Sequence, residues 1–547
     1  MSKKKPQHNR HWFYFSLFSL AILSVILLTN AWVVDDAYIT FRTVDNFVNG
    51  YGLTWNVGER VQVYTHPLWM ILVSIVYFIT SELFYTSIVL NFVLTMAAIW
   101  IVATMVTRLF GSWPWRPALL VLTILASKAV VDYASSGLEN ALSYLIIGIF
   151  LAKLLSVIDS DSRSWRDLGI LLFLASLAFV NRPDTLLLYF PAVAYLIYLY
   201  RTETKSRLIG VIIVATLPAM LWVLFSLVYY GYPFPNTAYA KVLSTGAPLS
   251  WKVQKGWDYF TNSLHWDTAS WFIVGIALWL SVRSRRAEVI APMVGVLVYV
   301  VYTVFSAASA THMSGRFFAV PFFISIVIFI YSLRNTRFAQ IIAFVLLAYV
   351  IWSPVSAVKY GTSFYKPYAQ DRNCIDTKYF VLQEGAALLN WESGKQLPDH
   401  DWLHYGEAFR SQPQKVHIGG ALKGDAIGYF GFAAGPDKYI LDRVALSCPL
   451  LSRLPAFLPP DTRMLKCGHL QRLIPQGYAE SIASGRNVIV DDSLRQFYDV
   501  IRVITRGPVF NFDRFGKIWN MNLGKYDHLF QNYASRVRAM VPPSPRR

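Results

Sequence analysis

The chain has 547 residues, 55% of them hydrophobic, with a mean hydropathy of +0.39; that balance excludes an ordinary water-soluble enzyme and points to a polytopic membrane protein. The net charge of +18 comes from 50 Lys and Arg against 32 Asp and Glu, but no basic-aromatic platform is set apart from the apolar part, which excludes nucleic-acid binding. Three cysteines, Cys374, Cys448 and Cys467, form no CxxC and no Cys/His metal spacing.

The first apolar run, Trp12 to Val34, is too long for a cleavable signal and is followed by no small-residue cleavage site. Next comes the stretch on which the rest is organised, Asp35 to Trp69. Two adjacent carboxylates, Asp35 and Asp36, stand at the edge of the first span. Ala37, Phe41, Val44 and Val48 recur at helical spacing, with Arg42, Asp45 and Asn49 on the other side. This is the pattern of an amphipathic helix lying on a membrane surface and closed by Asn49-Gly50. A second apolar run, 67–81, follows His66-Pro67.

A spanning helix needs roughly 20 mostly apolar residues. The further candidates are 86–107, 117–132, 140–156, 167–181, 184–200, 208–230, 269–283, 289–310, 317–333 and 338–358. If 67–81 is a surface or re-entrant helix, the basic residues sort to one side: Lys3, Lys4, Lys5, Arg10, then Arg108 and Arg116, Arg163 and Arg166, Arg201, Lys205 and Arg207, Arg283, Arg285 and Arg286, and Arg334 and Arg337. The expectation is eleven spans with the N-terminus inside. The outer face then collects 35–85, YASSGLEN (133–140), NRPD (181–184), the loop from Gly231 to about 268, and THMSGR (311–316). Residues 1–358 read as the membrane domain and 359–547 as a soluble outer domain of mixed α and β, with strands at 416–418, 439–441 and 487–490. Cys448 and Cys467 either bridge or stay reduced. No inverted repeat of the transporter kind is visible.

Every outward loop brings a charged or polar side chain to the membrane edge. One of Asp35 and Asp36 can take a proton from an acceptor hydroxyl, while their rival role is at the N-terminus of the surface helix. Arg42, Arg182, Lys241, His312 and Arg316 are candidate cations for a phosphate that gains charge as it leaves. Arg182 also fits a local pair with Asp184, and Arg316 fits a snorkelling anchor. Glu139 is a candidate ligand for sugar hydroxyls or an interfacial charge. His66 either orients a sugar or caps the helix after it. Asp184 and Asn236 complete the substrate-side set, and Trp55, Tyr64 and Trp69 are either sugar-stacking rings or interfacial belt residues. Lys128 lies inside an apolar run with no evident reason.

The stretch DDAYITFRTVDNFVNGYGLTWNVGERVQVYTHPLW, then SSGLEN, NRPD and PNTAYAK in order, resembles the GT-C superfamily of polytopic glycosyltransferases. More narrowly it resembles the bacterial arabinofuranosyltransferase group, which includes terminal arabinan-capping enzymes and a pilin-modifying arabinosyltransferase. GDAIGYFGFAAGP (424–436), LIPQGYAES (473–481) and TRGPVF (505–510) extend the likeness into the last third. The resemblance implies a GT-C-type α-helical membrane fold with a C-terminal periplasmic domain, in the cytoplasmic (inner) membrane. It implies a polyprenyl-phosphate arabinofuranose donor used on the outer face, with Asp35 or Asp36 as catalytic carboxylate and Lys241 and Arg182 on the donor phosphate.

The expected reaction moves D-arabinofuranose to an extracytoplasmic glycan or protein, such as a cell-envelope polysaccharide or pilin. The alternatives are another lipid-linked sugar, mannose or an amino-arabinose, or a lipid-linked-sugar flippase. No cofactor is expected, because fixed cations can neutralise a single phosphate. A divalent ion held by Asp35, Asp36 and Glu139 is the alternative.

Overall fold

The computed structural model describes residues 10–110, 115–159, 164–306, 313–333, 336–359, 370–371, 374–378, 385–419, 425–458 and 468–540. His312 and Cys467 lie outside the described residues. Among the described residues, four helices are long and apolar enough to cross a bilayer: Phe84–Arg108, Asn140–Val157, Lys205–Tyr229 and Ala287–Ser306. Shorter apolar helices pack around them, and the protein is a multi-pass membrane protein. The helix Ala319–Ser332 is buried along nearly its whole length and forms the centre of the bundle. Lys205–Tyr229 is the opposite case, with only Ala215 and Ser226 buried, so its apolar surface suits lipid rather than protein.

Helix ends follow local chemistry. The first helix stops at Thr29, and residues 31–34 run extended into the surface helix Asp35–Val48. The 117–132 run is broken rather than continuous. Trp115–Leu125 ends, Ser127 caps the short helix Lys128–Asp132, and the Ser127 hydroxyl accepts the Val130 N–H. The last apolar helix ends at Trp352, just before Ser353-Pro354. The helix after His66, Pro67–Thr80, has 14 residues, about 21 Å at 1.5 Å per residue, against a hydrocarbon core of about 30 Å. It buries Trp69, Met70 and Val73 and exposes Ile71, Ile75, Phe78 and Ile79, an apolar stripe that suits lipid.

The last third is mostly helix and loop. Val416–Gly419 pairs in parallel with Tyr439–Asp442, with the helix Tyr429–Ala433 in the crossover. The predicted strand at 487–490 is absent. That segment is an irregular connection, with Ile489 buried and Val488 and Val490 exposed, and the Val488 and Val490 amides bond to Ser481 Oγ and the Gln476 carbonyl. Among the described residues no strand pairs with it to complete a ladder. Cys448 is a buried free thiol whose Sγ accepts the Asp442 N–H at 3.2 Å; Cys467, its candidate partner, lies outside the described residues.

Packing does not stop where the apolar helices end. Ile39, Trp55, Val61 and Val63 from the first outer loop, and Tyr232 and Ala240 from the 231–241 loop, share one core with Ile440, Leu450, Phe497 and Ile504. Conversely Ala387, Leu403 and Tyr429 join the core of the helical bundle. The division at 358/359 marks a change in composition rather than a gap in packing.

Candidate active site

Glu139 is the hub. It is fully buried, one residue before the helix that begins at Asn140, and three other outer segments converge on it. His66 Nδ1 lies 3.1 Å from one carboxylate oxygen, Arg182 Nη1 2.6 Å from the other, and Arg316 Nη2 3.1 Å from both. Burial alone would push this carboxyl up; Arg316, His66 and Arg182 outweigh it and hold it well below the usual carboxylate range. Arg182 also forms a two-pronged bond to Asp184, at 2.7 and 3.1 Å, and Tyr299 donates to Asp184 at 3.0 Å. The guanidinium of Arg182 lies over the Phe317 ring, 4.5 Å from its centre. Arg182 falls at the end of Trp165–Asn181 because Pro183 cannot continue that helix.

Arg316 enters through a glycine. Gly315 has φ +78°, and a Cβ there would lie 3.0 Å from that of Ala129, so a left-handed residue without a side chain lets the chain turn against Lys128–Asp132. Arg316 is buried, its Nη1 reaches the Met313 sulfur, and its Nε has no partner among the described residues.

The surface helix meets this cluster through Thr40. His66 Nε2 lies 2.8 Å from Thr40 Oγ1, and Thr40 is one helical turn after Asp36 on the same face. His66 precedes Pro67–Thr80 without capping it by side chain. Lys241 sits in a single turn of π-helix, Tyr239–Leu243. Burial is the largest reason its ammonium is held below the usual lysine range; Arg316 and Arg182 push the same way, against Asp36 and Asp442. Among the described residues it makes no hydrogen bond. Asp36, Lys241, Arg182 and Arg316 thus share one electrostatic neighbourhood.

The two adjacent acids separate. Asp35 Oδ1 accepts the Tyr429 N–H at 2.7 Å, and the Tyr429 hydroxyl donates to the Val33 carbonyl at 2.6 Å. Gly428 packs so tightly that a Cβ would lie 2.0 Å from the Asp35 carbonyl oxygen. Burial, then the Asp36 charge, raises the Asp35 carboxyl to about 7. Neither acid caps the helix by side chain; the cap position is Val34.

Several expected site residues are elsewhere. Arg42 is buried over Trp55 at 4.3 Å, and it donates to the carbonyls of Trp55, Gly431 and Lys438. Its Nη1 and Nη2 tie the surface helix to the last third and its Nε holds the Trp55 carbonyl of the first outer loop. Asn236 is likewise a tie. Its amide donates to the Ala445 and Leu446 carbonyls at 3.0 and 2.9 Å and accepts from Ser452 at 2.8 Å. Trp55, Tyr64 and Trp69 are all buried; Tyr64 bonds Tyr230 at 2.8 Å, and Trp69 donates to the Gly137 carbonyl at 3.1 Å. They are core residues rather than sugar platforms. Thr40 and Tyr299 were missed; Thr40 was visible as the residue one turn after Asp36, Tyr299 was not.

Lys128 has an explanation in a second buried network. Its ammonium bridges Asp132 and Asp376, the latter at 2.8 Å, and Lys378 reaches Asp132 at 2.6 Å and Asn30 at 3.0 Å. The backbone of Asp376 pairs with that of Met313, three residues before Arg316.

No family model matches the chain. It is 26% identical over 276 residues to the terminal beta-(1->2)-arabinofuranosyltransferase of Mycobacterium tuberculosis, covering 48% of this chain and 43% of that one. It is 28% identical over 255 residues to the protein of the same name from Corynebacterium glutamicum, covering 42% and 35%. The chain therefore spans less than half the length of these curated relatives. Among solved structures it is similar to ArnT from Cupriavidus metallidurans bound to undecaprenyl phosphate, with a TM-score of 0.49 and 13% identity over 79% of this chain and 90% of that one. The likeness to arabinofuranosyltransferases read from the motifs is borne out in sequence by two terminal arabinofuranosyltransferases.

Proposed function

We propose that the chain is a glycosyltransferase that moves arabinofuranose from a polyprenyl-phosphate donor to an acceptor hydroxyl outside the cytoplasmic membrane. The observation that carries this is the convergence of Arg182 and Arg316 on the buried Glu139, next to a buried Lys241 whose ammonium feels the charges of Arg316, Arg182 and Asp36. In this reading Lys241 holds the donor phosphate, and Arg182 and Arg316, already bonded to Glu139, add their positive charge close to it. Asp36 takes the proton of the acceptor hydroxyl as its oxygen bonds to the anomeric carbon. The bond from that carbon to the phosphate oxygen breaks, and the electron pair leaves with the lipid phosphate, whose growing charge the cations stabilise. Glu139, His66 and Asp184 act as the frame that aims them. Glu139's oxygens are already taken up by His66, Arg182 and Arg316, which supports a reaction that needs no divalent ion.

The resemblance to arabinofuranosyltransferases supports the sugar, and the sorting of basic loops supports an external site with the N-terminus in the cytoplasm. The test is transfer by purified protein offered a panel of polyprenyl-phosphate sugars. Asp36→Asn should lower transfer from the arabinofuranose donor by about 10²–10⁴-fold with the protein still inserted. Full activity of that variant would refute the assignment, and preference for another donor sugar would refute the substrate.

A further inference from the structure

Behind the surface helix, on the side away from Asp36, lies an open cavity of about 990 Å³. The 3.6-residue period puts Tyr38, Asp45 and Asn49 on the face opposite Asp36 and Thr40. The other walls are the 81–84 junction, the 394–399 loop and the helix Asp401–Arg410. The volume is at the upper end of ligand pockets, which run about 300–1,000 Å³.

The walls are fixed by bonds among themselves. Asp45 Oδ1 accepts from the Tyr77 hydroxyl at 2.6 Å and from Asn49 at 2.9 Å. Asp399 is paired with Lys395 at 2.7 Å and lies 3.1 Å from His404 Nε2. Glu82 is used by the amides of Phe84 and Tyr85 at 2.6 and 2.8 Å. Four other lining side chains, Tyr51, Gln396, Glu407 and Arg410, are exposed and make no side-chain hydrogen bond among the described residues. They offer a phenol, an amide, a carboxylate and a guanidinium, a mixed set of donors and acceptors. Across the whole lining four carboxylates, Asp45, Glu82, Asp399 and Glu407, stand against Lys395, Arg410 and His404, so the cleft does not favour an anion. The Tyr51 ring, 46% exposed, offers a flat apolar face. Polar walls disfavour an acyl chain, and the excess of carboxylates disfavours an anionic ligand. Neutral polyhydroxylated rings, with hydroxyls on the edges and C–H groups on the faces, meet both conditions.

We propose that this cleft binds a neutral oligosaccharide, the distal part of the acceptor glycan, at a site separate from the point of transfer. It rests on the proposed transferase reading only for the use made of the bound glycan. The test uses the full chain in nanodiscs and a linear arabinofuranose hexasaccharide, with binding followed by calorimetry. Wild type should bind, and Tyr51→Ala and Glu407→Gln should each raise Kd about tenfold or more; both residues are exposed, so the fold should tolerate the changes. Both variants should lose transfer to the hexasaccharide while keeping transfer to a disaccharide. Absence of wild-type binding, or equal binding by the variants, would overturn the cleft. So would capture of phosphatidylglycerol from mixed-lipid discs in place of the sugar. Binding lost in the variants, with no transfer by any form of the protein, would uphold the cleft and sink the transferase reading.

Discussion

Asp35 turns its carboxylate to the Tyr429 amide, while the charge of Asp36 acts on Lys241 and on Asp35 itself. Adjacent acids with separate tasks should behave differently when altered. A folded value near 7 against an ordinary 3.8 means that folding tightens the proton on Asp35. Its contribution is therefore fully present below about pH 4 and lost as pH climbs through about 7. The apparent melting temperature in nanodiscs should fall between pH 5 and pH 8, and Asp35→Asn should flatten that fall. Asp36→Asn should move it towards lower pH, because the Asp36 charge is part of what raises Asp35. Lys241 gives the opposite test. Its ammonium deprotonates below the usual lysine range, so the alkaline limb of kcat/KM for the donor should begin early. Lys241→Arg, which stays charged, should move that limb to higher pH, while Lys241→Ala should raise donor KM about tenfold or more. The cations themselves were legible from outward loops and charge. Arg42 and Asn236 were not, because the carbonyls of Gly431 and Lys438 for the one, and of Ala445 and Leu446 for the other, lie more than two hundred positions further along the chain.

At the scale of elements, hydropathy located the apolar helices, while their ends answered to Ser127 and Pro354, which a hydropathy window averages away. The strand expected at 487–490 shows the same limit from the other side. A β-branched run is only as good as the neighbour it pairs with, and among the described residues none pairs with it. The docking of the helix Tyr429–Ala433 on the surface helix was also hidden, although its glycines were in view. Gly428 and Gly431 both lie where a Cβ would strike the first outer loop, at Asp35 and at Trp55. Gly428→Ala should cost about 1–3 kcal/mol, seen as a lower melting temperature. Activity should fall too, because the same contact sets where the Asp36 helix lies.

For the whole molecule, one core draws on the outer loops and on the last third together. A chain cut after residue 358 would expose Trp55, Val61 and Val63 to water and should aggregate when extracted in detergent, as size-exclusion chromatography would report. The remainder alone should give no cooperative melt. Lys378 adds a mechanical consequence. It is sunk among Asp132, Asn30 and the Lys128 network beside the base of the central helix. Pulling it out would strand Asp132 with one cation instead of two, at a cost of about 3–5 kcal/mol for a broken buried pair. The distal region is riveted there and cannot swing as a lid on that hinge. Any opening that admits a bulky acceptor must come from segments on the far side of the rivet, so cross-linking Lys378 to its neighbours should leave turnover intact.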